Sequence, residues 1–422
     1  MKVFFSGIGG AGIGPLALIA HRAGFEVSGS DKQHSSYIDY LKSAGINNIY
    51  TGKQDAHYMP KDVDWYVYSS ALPKEDPNHP ELMYVRQNGI KHSKRDEFLN
   101  YFLKQNSLKM IAVAGTHGKT TTTAMLVWLF KQINTDISYL VPAKMSFASM
   151  SKYVKGSEFF IYECDEYDRN FLSFSPYVSI ITGIDWDHPD VYPTRSEYEK
   201  AFYDFIGQSE YSVMYDTDFD LLNLKPANNL LALTAKDAKL SLAGEVNRAD
   251  AWLVVQTVHE LTGKPIEELV KYMNKFPGVS RRFEKIAKNI FTEYAHTPPK
   301  IRGALQLAHE VAGDNVVVVY EGLHNTRQHF IAKELATLFE GVKVLYVVPS
   351  YRAREDESLE DLTPVKLVEL MQSPNNRQPA LLNQDLRNKI LQHANSGDTV
   401  LCISAGGGGS LDEWLRKELL SI

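Results

Sequence analysis

The segment Leu108–Phe130 constrains the chain most, because it places a strand, a glycine loop and a helix in the order of a phosphate-binding loop. The apolar run Ile111–Ala114 predicts a buried parallel strand, and Thr121–Phe130 carries apolar side chains at helical spacing. The loop between them, Gly115–Thr120, reads GTHGKT. Its glycines let backbone N–H groups surround a phosphate, the lysine adds a charge, and the hydroxyl that follows can reach Mg²⁺. The segment therefore predicts a phosphate-binding site.

The loop departs from the usual pattern, because two residues instead of four separate its glycines. A glycine-rich turn with an exposed lysine is the alternative interpretation. The strand before the loop and the helix after it favour phosphate binding.

The overall composition excludes several classes of protein. A length of 422 residues predicts two to four domains, and 44% hydrophobic with 23% charged residues is ordinary for a soluble globular protein. A net charge of −6 argues against a nucleic-acid partner. The two cysteines, Cys164 and Cys402, lie in apolar runs and predict buried, reduced thiols in a cytoplasmic protein. We expect no signal peptide and no membrane partner, because the N-terminus is glycine-rich and no apolar run has the length of a membrane span.

A second glycine motif stands near the N-terminus. The run Gly7–Gly12 follows a strand at Val3–Ser6 and precedes a helix at Ile13–Ala23, and Asp31 ends the next strand near the position of an acid that accepts from a ribose hydroxyl. The pattern predicts a ligand with a nucleotide diphosphate. An NAD or FAD site is the common interpretation of the glycines alone, and a tight strand-to-helix turn is the structural alternative.

Acidic residues follow two strands downstream of the phosphate loop. Glu163 lies at the end of the apolar run Phe159–Cys164, and His188 comes after the strand Val178–Thr182 in an acid-rich loop. Carboxylates directly after a strand, beside a phosphate loop, are the expected ligands of Mg²⁺. His188 can be a metal ligand, a phosphate donor or a plain loop residue, and the two acidic strand ends favour an ion–nucleotide site.

The alternation of strands and helices continues through three segments, residues 1–107, 108–279 and 280–422. We place the first boundary at the linker 104–107 and the second at the break 276–279. Such parallel βαβ units bind ligands in the loops at the carboxyl ends of their strands. Ser69 and Ser70 lie at one of these ends, where serine hydroxyls can donate to a phosphate or carbonyl group or form a solvated turn.

Several stretches in chain order resemble the Mur ligases, the ATP-dependent amide-bond ligases of peptidoglycan precursor synthesis. They read GIGGAGIGPLA with VSGSD, YSSAL with HPEL, AVAGTHGKTTTTAM, ECDEYDRNFL, GIDWDHPDVY, FPGVSRRFE, EYAHTPPKI and the glycine run near Ser404. The resemblance implies an α/β fold of three domains: a Rossmann-like UDP-sugar-binding domain (1–107), a central P-loop-type ATPase domain (108–279) and a Rossmann-like C-terminal domain for the amino acid and ATP (280–422). GIGGAG with SGSD is similar to the members that join L-alanine to UDP-N-acetylmuramate.

The resemblance also implies ligands and residue roles. ATP and Mg²⁺ would be the cofactors, and UDP-N-acetylmuramate and L-alanine the substrates of a monomer or weak homodimer. The residues implied to bind the UDP-sugar are Gly9, Gly10, Ala11, Gly12, Asp31, Ser69 and Ser70. Those implied to bind ATP are Gly115, Thr116, His117, Gly118, Lys119, Thr120, Thr121, Asn247 and Arg282. Those implied to hold Mg²⁺ are Thr120, Glu163 and His188, and those implied in catalysis are Lys119, His188, His296 and Arg327. Glu293 is implied to face ATP or the incoming amino acid.

The implied reaction proceeds through an acyl phosphate, because a carboxylate is itself a poor acylating agent. ATP phosphorylates the lactyl carboxylate of the sugar, and a neutral amine then displaces phosphate. Lys119 and Mg²⁺ would neutralise the developing charge, and His296 would orient the amine or take its proton. The third domain would close over the site to exclude water, with hinges near Ser107 and Val279.

Some positions depart from the family's motifs, and the segment between residues 188 and 244 is short. The departures are Val246 and Asp250, in place of a His and an Asn, Glu293, in place of an Asp, and Glu321–Gln328, which keeps only Arg327. They fall around the amino-acid end of the reaction. The alternative functions are therefore a ligase that attaches a ready-made tripeptide to the same sugar, an NAD-dependent oxidoreductase built on the first glycine loop, and a catalytically silent nucleotide-binding partner of a cell-wall enzyme.

Overall fold

The computed structural model describes residues 1–188, 191–234, 239–352, 355–372 and 376–420. The chain divides into two compact units, the first comprising Met1–Leu240 with Asp250–Phe276 and the second Ser241–Ala249 with Pro277–Ile422. Two mainly parallel sheets lie in the first unit and one in the second. The α/β class with three sheet-containing parts is confirmed, whereas the boundaries at residues 107 and 279 stay a prediction.

The first sheet is formed by the strands β1 Lys2–Ser6, β2 Glu26–Asp31, β3 Ile49–Thr51, β4 Trp65–Tyr68 and β5 Lys91–Lys94. They are parallel and lie in the order β3-β2-β1-β4-β5. The helices along this part of the chain are α1 Gly14–Arg22, α2 Ser36–Ser43, α3 Leu72–Glu75, α4 Pro80–Gln87 and α5 Arg95–Gln105. The central run Val3–Phe5 is fully buried, as in parallel strands covered on both faces. Because the strand order reverses beside β1, the glycine loop after β1 opens where doubly wound sheets bind ligands.

The second sheet is formed by β6 Lys109–Ala114, β7 Ser138–Leu140, β8 Ser151–Lys152, β9 Phe159–Glu163, β10 Val178–Ile181, β11 Tyr211–Tyr215 and β12 Leu230–Leu233. Its order is β12-β11-β10-β6-β9-β7-β8, and only the pair β7–β8 is antiparallel among the described pairs. The helices that follow its strands are α6 Lys119–Gln132, α7 Arg195–Gly207, α8 Asp216–Leu221, α9 Glu245–Thr262 and α10 Ile266–Met273. Strand β6, which leads into the phosphate loop, lies between β9 and β10, whose ends carry the acidic residues.

The sheet of the second unit is formed by β13 Glu284–Ala287, β14 Ile290–Glu293, β15 Val316–Leu323, β16 Val344–Tyr351, β17 Arg377–Pro379 and β18 Thr399–Ile403. Its order is β13-β14-β18-β15-β16-β17, and the edge strand β13 is antiparallel to β14. The helices of this unit are α11 Pro298–Ala312, α12 Asn325–Phe330, α13 Ala332–Leu338, α14 Pro364–Glu369, α15 Gln384–Asn395 and α16 Leu411–Leu420. None of the described helices is both long enough and apolar enough to cross a membrane.

One apolar core extends through both sheets of the first unit. Helix α5 lies within it, because Phe98 packs edge-on against Phe5 and Trp65 of the first sheet, with ring centroids 5.4 and 5.2 Å apart. Phe102 of the same helix contacts Tyr153, which directly follows β8, at 5.5 Å. The residues expected to form a linker, 104–107, therefore begin inside a helix whose apolar face both sheets share.

Two segments differ from the sequence-based expectation. The stretch 221–242 lacks a clear pattern, yet it contains the edge strand β12, most of whose residues are only partly buried. The sequence pattern predicts a single helix over 328–339, but the structure contains two short helices, α12 and α13. Ile331 separates them with φ −97° and ψ 10°, which lies outside the α-helical range.

A glycine-to-alanine change at the centre of the first sheet tests how closely β1 and β2 approach each other. A Cβ atom on Gly29 would lie 2.4 Å from the Phe5 carbonyl oxygen. We therefore expect Gly29→Ala to lower the free energy of unfolding, measured by urea denaturation, by about 1–3 kcal/mol. The control is Gly207→Ala, where no described atom would lie within 4 Å of the new Cβ. The free energy of unfolding of Gly207→Ala should be unchanged or raised by up to about 1 kcal/mol. Equal stability of the two variants would contradict the close approach of β1 and β2.

Candidate active site

The loop after β6 has the backbone of a phosphate-binding loop. Gly115 and Gly118 adopt φ values of +141° and +74°, which favour glycine. The Thr116 hydroxyl donates to the Asp185 carbonyl oxygen at 2.7 Å and accepts from the Asp185 N–H at 2.9 Å, and it lies 2.8 Å from the Tyr198 hydroxyl. The loop is thereby fixed to the segment after β10. The predicted ATP-binding residues that this structure gathers in the loop and the first turn of α6 are Gly115, Thr116, His117, Gly118, Lys119, Thr120 and Thr121.

Lys119 carries a buried positive charge at the start of α6. Its Nζ lies 2.7 Å from the Gly115 carbonyl oxygen and 2.7 Å from Glu166 Oε2. The Lys119 side chain is 14% exposed and that of Glu166 is 1% exposed. Burial alone would lower the pKa of Lys119, but the carboxylates of Glu166, Asp165 and Glu163 outweigh it and raise that pKa. Lys119 is therefore charged at neutral pH, as a phosphate-binding group must be.

Glu166 belongs to the candidate site, although the sequence analysis did not assign it a role. It stands three residues after Glu163 in the same acidic run, and it points inward to Lys119. Its backbone oxygen accepts from the Tyr192 hydroxyl at 2.6 Å, and its Oε1 lies 3.9 Å from His188 Nε2. The acidic run signalled a charged site, but the sequence does not reveal which carboxylate faces the lysine.

The three residues predicted to hold Mg²⁺ come from separate elements around β6. Thr120 lies in the first turn of α6, Glu163 ends β9, and His188 follows β10. Hydroxyl and carboxylate oxygens suit Mg²⁺, which keeps few protein ligands when it is bound through substrate phosphates. Across the described ranges, no group of three or more His, Cys, Asp or Glu side chains is arranged to hold a metal. Pro189 and Asp190 of the quoted acidic stretch lie outside the described residues.

Asp250 is a second residue that the sequence analysis did not place at the phosphate loop. Its side chain lies so close to Gly118 that a Cβ atom there would be 2.2 Å from Asp250 Oδ2. Asp250 is only 2% exposed. Burial raises the pKa of Tyr215, and the charge of Asp250 raises it further. Any side chain at Gly118 would therefore meet a buried carboxylate.

The glycine loop of the first sheet brings together the residues predicted to bind the UDP-sugar. Gly9 N–H donates to Asp31 Oδ2 at 2.8 Å, so the acid at the end of β2 holds the loop through its backbone. Ser69 and Ser70 follow β4, which is the neighbour of β1 on the other side. The loop residues predicted for the same ligand, in order, are Gly9, Gly10, Ala11 and Gly12. All of them lie at the carboxyl edge of this sheet.

A buried polar network lies beneath that loop, and it includes Glu81 of the HPEL stretch. Ser6, the residue before the loop, donates from Oγ to Glu81 Oε2 at 2.8 Å, and the Tyr66 hydroxyl donates to the same oxygen at 3.2 Å. Gln54 Nε2 donates to Ser6 Oγ at 3.1 Å and to Ser30 Oγ at 2.9 Å. Glu81 is fully buried, which raises its pKa. The network fixes the ends of β1 and β2, from which the ligand-binding loop starts.

The carboxyl edges of the two sheets in the first unit face each other. Lys94 at the end of β5 lies 2.6 Å from Asp168 Oδ2, and Lys74 of α3 lies 3.3 Å from Asp168 Oδ1. Asp168 follows β9 of the second sheet. Burial would raise the pKa of Asp168, but the hydrogen bonds from Lys94 and Lys74 outweigh it and lower that pKa. Two loops suited to phosphate groups therefore open toward one charged region.

In the second unit, three predicted residues gather around Tyr294. Arg282 Nη1 donates to the Tyr294 carbonyl oxygen at 2.9 Å and lies 3.8 Å from Glu293 Oε1. The His296 ring lies edge-on to the Tyr294 ring at 5.6 Å. Burial raises the pKa of Glu293, although Arg282 acts in the opposite direction. The sequence analysis gave Arg281 no role, but its guanidinium lies 4.8 Å from the Tyr294 ring centre, and its Nη2 donates to the carbonyl oxygens of Ser404 and Gly406.

The structure does not bring all predicted residues of this unit together. Arg327 lies in α12, and within the described part of the unit it forms no hydrogen bond or ion pair with Arg282, Glu293 or His296. Asn247 lies in α9, and its Nδ2 donates to the Ala243 carbonyl oxygen at 2.8 Å. The roles of Arg327 and Asn247 stay predictions.

Glu321, the first residue of the altered stretch Glu321–Gln328, has a structural role near the end of β15. Its carboxylate accepts from Ser404 Oγ at 2.5 Å and from the Leu411 N–H at 2.9 Å, and it is only 4% exposed. Burial raises its pKa. The carboxylate thus ties β15 to the end of β18 and to the start of α16, on either side of the glycine run.

Models of the Mur ligase family match three consecutive stretches of the chain. The Mur ligase family catalytic domain matches residues 2–107, the Mur ligase middle domain 113–261, and the Mur ligase glutamate ligase domain 281–406. These stretches contain the two glycine loops, the acidic run and the Tyr294 cluster described above.

Individual relatives agree with these matches. The UDP-N-acetylmuramate–L-alanine ligase of Salinispora arenicola is 30% identical over 98% of this chain and 87% of its own length. That of Clostridium acetobutylicum is 28% identical over 96% and 95%. Among solved structures, the UDP-N-acetylmuramate-alanine ligase of Thermotoga maritima matches over 100% of both chains with a TM-score of 0.78 and 23% identity. A murein peptide ligase of Psychrobacter arcticus matches over 100% of this chain and 98% of its own with a TM-score of 0.68 and 21% identity. The solved structures support the fold.

Together the family models cover most of the chain, and the relative from Salinispora arenicola extends the likeness over nearly all of it. The phosphate loop with its buried Lys119 and the acidic ends of the neighbouring strands lie within the stretch that matches the Mur ligase middle domain. The chain belongs to the Mur ligase family of ATP-dependent ligases.

Proposed function

We propose that this chain joins L-alanine to the lactyl carboxylate of UDP-N-acetylmuramate and converts ATP to ADP and phosphate, in the cytoplasm, as a monomer or weak homodimer. The observation that carries the proposal is the pair of glycine loops in the first unit, whose sheet edges meet at Asp168 and Lys94. One loop suits a nucleotide diphosphate and the other a triphosphate. The curated relatives from Clostridium acetobutylicum and Salinispora arenicola bear the name of this activity.

In the first step, a lactyl carboxylate oxygen attacks the γ-phosphorus of ATP, and the bond to the β,γ-bridging oxygen breaks to release ADP. The protein must align two anions and offset the charge that builds up between them. Lys119 supplies a fixed cation for the phosphates, and the N–H groups of the loop 115–121 supply donors. Thr120, Glu163 and His188 would hold Mg²⁺, which supplies further positive charge to the phosphate oxygens when it is bound.

In the second step, the amine nitrogen of the amino acid attacks the acyl carbon, the C–O bond to phosphate breaks, and the amine loses a proton. We assign the orientation of the amine, or the removal of its proton, to His296. Arg282 and Arg327 would bind ATP or the carboxylate of the amino acid, and Asn247 would lie near the adenine. The gathering of Arg282 and His296 around Tyr294 supports the assignments of these two residues.

Release of ADP is the test of the function and of the acceptor. We expect ADP release from Mg-ATP to require both UDP-N-acetylmuramate and L-alanine when L-alanine, glycine, L-serine and the tripeptide are compared in parallel. Release only with the tripeptide would move the chain to the recycling ligases. No release with any amine, despite binding of the UDP-sugar, would favour a silent nucleotide-binding partner, and tight NAD binding without UDP binding would favour an oxidoreductase.

Removing the charge of Lys119 should separate the two ligand sites. We expect Lys119→Ala to lower kcat by about 10²–10³-fold or more, because the developing charge on the phosphates loses its fixed cation. Binding of UDP-N-acetylmuramate, measured by calorimetry, should be unchanged. The control is Lys131→Ala at the other end of α6. If Lys119→Ala lost both turnover and the binding of UDP-N-acetylmuramate, the proposed division of roles between the two loops would be contradicted.

A methyl group at Gly118 should disturb the phosphate loop alone. We expect Gly118→Ala to weaken binding of ATP, measured with a fluorescent ATP analogue, because its Cβ would lie 2.2 Å from the buried Asp250 carboxylate and its φ is +74°. The matched control is Gly303→Ala in α11, where the nearest atom, Val246 Cγ2, is 3.9 Å from the new Cβ. Unchanged ATP affinity in Gly118→Ala would show that the loop does not bind ATP in this conformation.

A further inference from the structure

Arg95, the first residue of α5, lies directly over the glycine loop of the first sheet. A Cβ atom on Gly12 would be 2.5 Å from Arg95 Nη1 and 3.6 Å from its Cζ. The third glycine of such a motif usually allows close packing of a helix on a strand. Here it makes room for a guanidinium group, so a positive charge lies at the loop that is suited to a diphosphate.

The backbone of the same loop offers donors beside that charge. The Gly9 N–H is used by Asp31 and the Gly10 N–H by the Gly7 carbonyl oxygen, at 2.8 and 3.0 Å. The next two N–H groups, of Ala11 and Gly12, form no hydrogen bond with any other described residue. Two available amides next to a guanidinium form a donor set that matches phosphate oxygens.

The guanidinium is held in place from the side away from the loop. Arg95 Nε and Nη2 donate to Asp96 Oδ1 and Oδ2 at 3.2 and 3.3 Å. Asp96 is 4% exposed and also accepts from the Tyr162 hydroxyl of β9 at 2.7 Å. Over the described ranges Arg95 Nη1 has no hydrogen-bond partner, so the one nitrogen that Asp96 does not engage is the one beside Gly12.

The neighbouring cations differ from Arg95 in this respect. Lys94 and Lys74 both form ion pairs with Asp168, which lies after β9. Arg95 therefore combines a charge fixed by Asp96 with a donor that remains available at the loop.

We propose that Arg95 binds the diphosphate of the nucleotide sugar, together with the N–H groups of Ala11 and Gly12, and that Asp96 is the residue that positions its guanidinium. The proposal rests on the function proposed above and adds a substrate-binding residue to it. It also assigns a role to the sequence Lys94-Arg95-Asp96, which belongs to none of the glycine or acidic motifs described above.

Calorimetry with UDP and with uridine separates binding of the diphosphate from binding of the nucleoside. We expect Arg95→Met to weaken UDP binding by about 10- to 100-fold, the range for a lost hydrogen bond to a charged group, and to leave uridine binding unchanged. The UDP affinity of Arg95→Lys should fall between those of Arg95→Met and the wild type, because lysine keeps the charge but cannot donate two parallel hydrogen bonds as a guanidinium does. In turnover assays, KM for UDP-N-acetylmuramate should rise while KM for ATP stays the same. The control is Arg22→Met at the end of α1.

Gly12→Ala provides an independent variant, because its methyl group would displace Nη1 without removing the charge. We expect it to weaken UDP binding, and we expect the double variant Gly12→Ala with Arg95→Met to lose no more than Arg95→Met alone. Unchanged UDP affinity in Arg95→Met, or an equal loss for UDP and uridine, would overturn the proposal. A wild-type protein that binds UDP through Arg95 but catalyses no ligation would overturn the proposed function and leave this site standing. A wild-type protein that does not bind UDP would overturn both.

Discussion

The buried ion pair of Lys119 and Glu166 is the interaction on which the candidate site depends. Taking an ammonium and a carboxylate out of water costs several kcal/mol for each ion, so the pair persists only where further polar contacts support it. Those contacts come from the segment after β10, where Tyr198 reaches Thr116 and Tyr192 holds the backbone of Glu166. Phosphate oxygens that enter the loop must compete with Glu166 for Lys119, so this carboxylate can hold the cation in place until a nucleotide replaces it.

The parts of the site that the sequence predicts are those built within one short segment. Strand β6 was expected over 111–114 and extends over Lys109–Ala114, and the expected helix 121–130 is α6, Lys119–Gln132. The loop between them needs only the local order of strand, glycines and helix. The first glycine loop is local in the same sense, because β1, the loop and α1 follow one another directly. Hydrophobic periodicity and glycine spacing therefore suffice for both loops.

The residues that the sequence analysis missed are those whose role depends on contacts between distant segments. Asp250 lies in α9, far along the chain from Gly118, and only the packed structure shows that the two touch. The apolar residues of α5 predict that one face is buried, but not that Phe98 and Phe102 pack toward two different sheets. Glu166 is one of several acidic residues in the same run, so the sequence does not distinguish it from its neighbours. Its side chain points inward because the chain turns after β9.

That turn also contacts residues from both sheet-containing parts of the first unit. Asp168 and Arg169 both adopt φ values of +56°, which non-glycine residues seldom do, so tertiary contacts must hold the turn in place. Asp168 is anchored by Lys94 of β5 and Lys74 of α3, and Glu166, two residues earlier, forms an ion pair with Lys119 of α6. A single acidic segment thus forms ion pairs with cations from both sheet-containing parts of the first unit.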